Sequence, residues 1–276
     1  MEREDAETTA RTRIDRLRDQ IHTLDRRPVR PSGRARIGFR LSSIDSYLSG
    51  GLATGALHEM LGQGADTEHG AAASRLLAGL LAGFSRTLPP ESRVLWAMRG
   101  DDLYPPGLAA VGLPPHRLIL AQCGRNVAAV MEEALRHPGL CAVVGEIEGA
   151  FGLTASRRLQ LAAEASGVPA FLIRRSRRFD DPVLLAPSAA VTRWRIGVLP
   201  PRGRFHPAHL DDRPLWRLSL LRSRDSSLSE WTVQACDAEG RLADVPPLPA
   251  RPAHRVPVPA LLADRASPHA RLAATG

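Results

Sequence analysis

"EMLGQGADTEHGAAASRLLAGLLAGF", residues 59–84, decides the fold. A short apolar run, Leu57 to Leu61, leads into a glycine-containing loop, and a long Ala/Leu-rich segment follows. The run reads as a strand and the segment as a helix, which is the layout of a phosphate-binding loop. Such a loop needs G-x-x-x-x-G-K-[ST]. Its backbone amides cradle the phosphates, its lysine supplies a point charge and its hydroxyl holds Mg²⁺. Counted from Gly62, the second glycine position is Thr67, the lysine position is Glu68 and the hydroxyl position is His69. Thr67 puts a side chain where backbone must approach phosphate. Glu68 reverses the required sign. Two unit charges about 4 Å apart interact by roughly 1 kcal/mol in water and roughly 4 kcal/mol at intermediate dielectric, here as repulsion. No shift of register helps, because all 37 basic residues are Arg and the chain contains no Lys. Arg75 lies two turns into the helix.

Outward from this stretch, apolar runs alternate with helical patterns. "ALHEML", "RVLWAM", "RLILAQ", "LCAVVGEI" and "VPAFLI" read as strands. His69–Arg86, Tyr104–Val111 and Thr154–Ser166 read as helices, the last stopped by Gly167. Another helix begins at Asn126, a capping residue, and turns Val127, Val130, Met131, Ala134 and Leu135 inward. Asp101 and Asp102 are read as a helix start, and Ser42, Ser43 and Ser46 as part of a turn. Strands without alternation, joined by helices, predict an α/β fold with a mainly parallel sheet covered on both faces. After Arg178 the pattern changes. "AVTRWRIGVL", "LWRLSLLRSR" and "EWTVQAC" alternate apolar and polar residues and predict antiparallel strands with one solvated face.

"LSSIDSYLSGGLATGALHEMLG", 41–62, resembles the entry to a RecA-type ATPase core, where paired glycines precede the strand that feeds the phosphate loop. Gly50, Gly51, Gly55, Glu59 and Gly62 match that layout, and the later strands follow in RecA order to about residue 240. Within that superfamily the chain resembles the ImuA family, through its length, its "HEMLG" start, its missing lysine and its Pro/Arg-rich end. The resemblance implies a RecA-like core with antiparallel strands at the C-terminal side. It also implies a role in SOS-induced mutagenesis beside an ImuB-type Y-family-like protein and an error-prone DnaE-type polymerase, with RecA as a further partner.

The resemblance carries expectations for the ATPase parts as well. The metal-holding acid at the end of "CAVV" falls on Gly145, with Glu146 and Glu148 one register off. The catalytic glutamate falls in "AMRG", 97–100, with no acid before Asp101. The reading is therefore a non-catalytic adaptor: a pseudo-ATPase with no catalytic residue, no cofactor and no metal. A RecA-like ATPase with an atypical nucleotide site and a SulA-like division inhibitor stay open as alternatives.

Charge is concentrated. Residues 174–224 carry 12 Arg and 4 acids, net +8, equal to the net charge of the whole chain. "LIRRSRRFDD", 172–181, opens this region at the end of the last parallel strand, where RecA-type cores carry their DNA-binding loops. Arg174, Arg175, Arg177 and Arg178 are the candidate contacts for weak, sequence-independent DNA binding. The other reading is a solvated loop paired with Asp180 and Asp181. Trp194, Trp216 and Trp231 read as core residues rather than stacking platforms.

The two ends read differently from the core. Residues 1–36 combine an amphipathic helix over 8–27 with a Pro/Gly/Arg linker. Ile14, Leu17, Ile21 and Leu24 form its apolar stripe, which packs on its own domain or on a partner, including a second copy. Residues 243–276 are rich in Pro, Ala and Arg and read as a flexible, disordered tail. The core is thus expected over 37–242. Cys123, Cys141 and Cys236 have neither disulfide nor metal-ligand spacing and suit a reducing cytoplasm. The longest apolar run, Leu76 to Phe84, is too short to span a bilayer. Nine scattered histidines form no ligand pair with a carboxylate.

Overall fold

Strand β3 (Leu57–Gly62) is buried at all six positions and lies inside a nine-stranded sheet. The structure, a computed structural model, describes residues 35–137, 139–178, 181–200 and 213–245. The stripe of Ile14, Leu17, Ile21 and Leu24, most of the N-terminal linker and residues 246–276 lie outside them. The other strands of the sheet are β4 (Arg93–Met98), β5 (Leu118–Gln122), β6 (Leu140–Glu148), β7 (Ala170–Arg175), β8 (Thr192–Leu199), β9 (Leu215–Ser223), β10 (Ser229–Gln234) and β11 (Ala243–Asp244). Their order is β11-β10-β9-β8-β3-β7-β6-β4-β5. Pairing is parallel from β8 through β3, β7, β6 and β4 to β5, and antiparallel from β8 to β11.

The fold class is the expected one, with one correction inside it. The alternation in β8 predicts an antiparallel strand with a solvated face. It pairs parallel with β3 on one side and antiparallel with β9 on the other, and most of it is buried. The half-solvated pattern begins only at β9, whose neighbours are all antiparallel. The sheet also takes in Ala243 and Asp244, beyond the expected core boundary at 242.

Helix α2 (Asp66–Ser85) covers one sheet face, against Met60, Trp96, Val144, Phe171 and Trp194. It can lie close because small residues, Ala72, Ala73 and Ala82, alternate with Leu76, Leu77, Leu80 and Leu81, all of them buried. Helices α4 (Val127–Ala134) and α5 (Leu153–Ser166) cover the other face, against Ala97, Val143, Ala170 and Leu172. Alternate residues of each strand thus belong to different cores. α5 ends at Gly167, whose φ of +81° suits glycine.

Three local readings change. Helix α1 (Ser42–Tyr47) replaces the expected turn, and the paired glycines follow it at φ +103° and +112°. A Cβ on Gly51 would lie 2.3 Å from the Ile37 carbonyl oxygen of β1 (Arg36–Ile37), which pairs with β2 (Leu52–Ala53), so this close crossing excludes any side chain. Helix α3 (Pro105–Ala109) starts at a proline rather than at Asp101 or Asp102. Asn126 makes no side-chain cap, because a 3₁₀ turn over Gly124–Asn126 already leads the chain into α4. Trp194 and Trp216 are buried as expected, and Trp231 packs partly exposed against the same core.

Candidate functional site

The loop after β3 is short, because α2 begins at Asp66. Thr67 and Glu68 therefore sit in the first helical turn and face solvent, not the loop interior. Glu68 lies 3.6 Å from His69 Nε2, and His69 Nδ1 accepts the Val198 amide at 3.1 Å. The expectation that Glu68 opposes phosphate from within the loop is thus corrected: the acid next to the interior is Asp66.

Four amides of the loop and the first helical turn already have partners inside the protein. Gln63 N donates to Ile196 O at 2.9 Å and Asp66 N to Ser176 O at 2.8 Å. Glu68 N and His69 N both donate to Ala65 O, at 3.0 and 3.1 Å. A phosphate cradle depends on amides left free to point at the ligand. Here Ile196 of β8 and Ser176, the residue after β7, accept two of these amides, and Ala65 accepts the other two.

A guanidinium from β7 sits beside this helix start. Arg175 Nε and Nη2 lie 2.9 and 2.8 Å from Glu146 Oε2, Nη2 donates to Ser74 Oγ at 2.8 Å, and Nη1 lies 3.8 Å from Asp66 Oδ1. Room comes from Gly70, where a Cβ would lie 2.7 Å from Arg175 Nη1. The other Glu146 oxygen accepts Trp96 Nε1 at 2.7 Å. Burial pushes the Asp66 carboxyl up to about 6, against the pull of Arg175 and its bond to the chain at Ser176. The centre thus holds two carboxyl groups around one internal cation.

Strand alternation explains why Glu146 takes this place. Gly145 faces α4, where a Cβ would come within 2.1 Å of Met131 Sδ, so no carboxylate fits there. Glu146 faces α2, and both of its oxygens are engaged. Among the described residues no group of three or more His, Cys, Asp or Glu is placed to hold a metal ion.

The four arginines of 174–178 do not form one patch. Arg174 and Arg175 belong to β7, so their side chains leave opposite faces of the sheet. Arg174 is 1% exposed. Its Nη2 donates to Gly149 O at 2.8 Å, its guanidinium lies 5.7 Å from the Phe151 ring, and Nη1 is 3.9 Å from Glu59 Oε1. Burial lowers its pKa, and Glu59 opposes that shift. The expected DNA contacts from Arg174 and Arg175 are therefore corrected, since neither reaches a polyanion without leaving the core. Arg177 and Arg178 are exposed, and Arg177 Nε lies 3.4 Å from Glu148 Oε1. Later arginines are also turned inward: Arg193 Nη2 donates to Ala186 O at 2.7 Å, and Arg222 Nη1 donates to Ser188 O.

No family model matches the chain. Two curated relatives do: Protein ImuA of Caulobacter vibrioides strain NA1000 / CB15N and of strain ATCC 19089 / CIP 103742 / CB 15. Each is 36% identical over 209 residues, covering 73% of this chain and 84% of the relative. The chain belongs to the ImuA family. The crystal structure of the RadB recombinase matches 76% of this ImuA-family chain and all of its own length, with a TM-score of 0.54 at 18% identity. That likeness establishes the RecA-like fold alone. Among the described residues no helix is long and apolar enough to cross a membrane.

The sequence reading missed Asp66, Ser74, Trp96 and Glu146 as one cluster, and missed Arg175 as its centre. A signal was present. Extending the strand "VPAFLI" by two residues places Arg174 and Arg175 on opposite faces, and applying alternation to "LCAVVGEIE" turns Glu146 toward α2.

Proposed function

We propose that this chain is a nucleotide-independent, non-hydrolysing RecA-like adaptor in SOS-induced, error-prone translesion synthesis in the cytoplasm. It would link an ImuB-type Y-family-like protein and a DnaE-type polymerase to each other or to RecA. The observation that carries the nucleotide part is the seat of Arg175. A guanidinium bonded to Glu146 and Ser74 already balances charge beside the start of α2, where a nucleotide's metal and phosphates would have to enter. An incoming triphosphate would have to break that pair and then face Asp66 and Glu146. The cassette part rests on membership of the ImuA family.

Direct DNA contact, where the adaptor makes it, falls to Arg177 and Arg178. The stripe of Ile14, Leu17, Ile21 and Leu24 is the proposed tether to a partner or a second copy. Even a weak contact of this kind gains from the high effective concentration of linked sites. The nucleotide reading is tested with full-length protein. It should show no ATP hydrolysis above background and no thermal shift with ATP and Mg²⁺. Turnover that tracks the folded fraction, or a nucleotide-dependent shift lost in Arg175→Met, overturns it.

A further inference from the structure

The α5 side of the sheet holds a second buried charge cluster, separate from the one around Arg175. Glu59 on β3, Arg174 on β7 and Arg193 on β8 share this face, with side chains 0%, 0% and 8% exposed. Arg193 Nε donates to Glu59 Oε2 at 2.6 Å, and Arg174 Nη1 lies 3.9 Å from Glu59 Oε1. Each arginine also reaches away from Glu59 to a different connection between elements. Arg174 holds the turn after β6, through Gly149 O at 2.8 Å and the Phe151 ring at 5.7 Å. Arg193 holds the connection between β7 and β8, through Ala186 O at 2.7 Å.

These segments leave different strands, and Glu59 is the anion between their two anchors. Burying a guanidinium is costly unless an anion and acceptors meet it. Two such cations side by side repel one another. Glu59 is the carboxylate that attracts both, with Asp181 adding a further attraction on Arg174, so their burial and the geometry of both anchors depend on Glu59. Additional bonds dock the connection from outside: Ala189 N donates to Ser156 Oγ at 3.0 Å, and Arg222 donates to Ser188 O.

We propose that Glu59 is a positioning residue that fixes residues 149–152 and 181–191 in one shared arrangement before any ligand or partner arrives. Glu148, next to the first segment, pairs with exposed Arg177, and the second segment follows exposed Arg178 in the chain, so the surface beside these arginines is preset rather than ordered by its target. A preset face avoids the ordering cost of binding. The inference concerns the binding edge of the proposed adaptor. Its test uses no DNA, nucleotide or partner, so it and the adaptor reading can fail separately.

The test is amide hydrogen exchange on the full-length protein. In the wild type, exchange in 149–152 and in 181–191 should be slow for surface connections. Glu59→Gln should speed both segments together, by tenfold or more, while α2 and β4 keep their protection. The triple change Glu59→Leu, Arg174→Met, Arg193→Met guards against simple unfolding. Replacing a buried ion cluster by apolar side chains of similar volume is often neutral or stabilising for the fold, yet it removes the bonds to Gly149 O and Ala186 O. Both segments should again exchange at least tenfold faster in a folded protein. The proposal is overturned if either segment responds without the other, if Glu59→Gln raises exchange uniformly in a folded protein, or if the triple variant keeps both segments slow. Where Glu59→Gln does not fold, the triple variant alone decides.

Discussion

Replacing Arg175 by Met keeps much of the buried stem and removes the charge. It leaves Glu146, whose side chain is 6% exposed, with Trp96 Nε1 at 2.7 Å as its remaining hydrogen-bond donor among the described residues. It also removes the cation that limits the rise of the Asp66 carboxyl, which stands at about 6 with Arg175 in place. Breaking one side of a buried pair costs roughly 3–5 kcal/mol. Arg175 is 18% exposed, which places the expected loss at the lower end, about 3 kcal/mol. With a urea m-value of about 2 kcal/mol/M, that is a fall in midpoint of about 1.5 M. Adding Glu146→Gln removes the orphaned anion and keeps an acceptor for Trp96. The double variant should therefore regain about 2 kcal/mol, a strong coupling for two side chains in contact. Urea denaturation of the four proteins of this cycle is the assay. A midpoint drop below about 0.5 M for Arg175→Met, or additive losses in the double variant, refutes an internal pair that the fold depends on.

Further outcomes follow from particular contacts. His58 is fully buried, its Nε2 bonded to Ala53 O and its Nδ1 to the Thr192 hydroxyl, and burial lowers its pKa to about 4. The unfolded chain then binds the extra proton between pH 4 and 6.5, so this contribution is complete above 6.5 and falls by about 3 kcal/mol as the pH drops toward 4. Asp66 acts in the opposite sense, losing stability as pH rises from 3.8 through about 6. Asp66→Asn should therefore gain about 2 kcal/mol relative to wild type between pH ~4.5 and ~7, read by urea midpoints at both pH values; no gain removes the buried-carboxyl argument. Arg177→Ser with Arg178→Ser should flatten any salt dependence of single-stranded DNA binding by about 1.5 units, two contacts at ~0.7–0.9 each, in an anisotropy series. The same change at Arg174 should instead destabilise the fold, as seen by thermal melting. Gly145→Ala pushes a Cβ to 2.1 Å from Met131 Sδ and should cost about 1–3 kcal/mol in urea denaturation.

The elements were largely legible because their signals are local. "RVLWAM" is the strand Arg93–Met98, and the Ala/Leu run after Gly62 is the long helix α2. Buried strands without alternation marked the parallel part of the sheet, and Gly167 marked the end of α5. β8 misled because its own alternation says nothing about which strand pairs with each of its edges. Its partner β3 is distant in the chain, and parallel pairing there buries both faces.

By itself, the sequence determined that no lysine meets a phosphate in this chain, and that residues 174–224 carry a net charge of +8, equal to that of the whole chain. Those are properties of composition, and no folding can alter them. Only the tertiary structure decided what the arginines do instead. A run such as "RRSRR" reads as one patch along the chain, but a strand directs neighbouring residues to opposite faces. One arginine therefore meets Glu59 and the turn at Gly149, the next meets Glu146 and the start of α2, and the last two are the ones that stand exposed. Pairs such as Arg175 with Glu146 and Arg193 with Glu59 join residues far apart in sequence, and their burial, set by the whole sheet and its helices, makes each carboxylate depend on its cation.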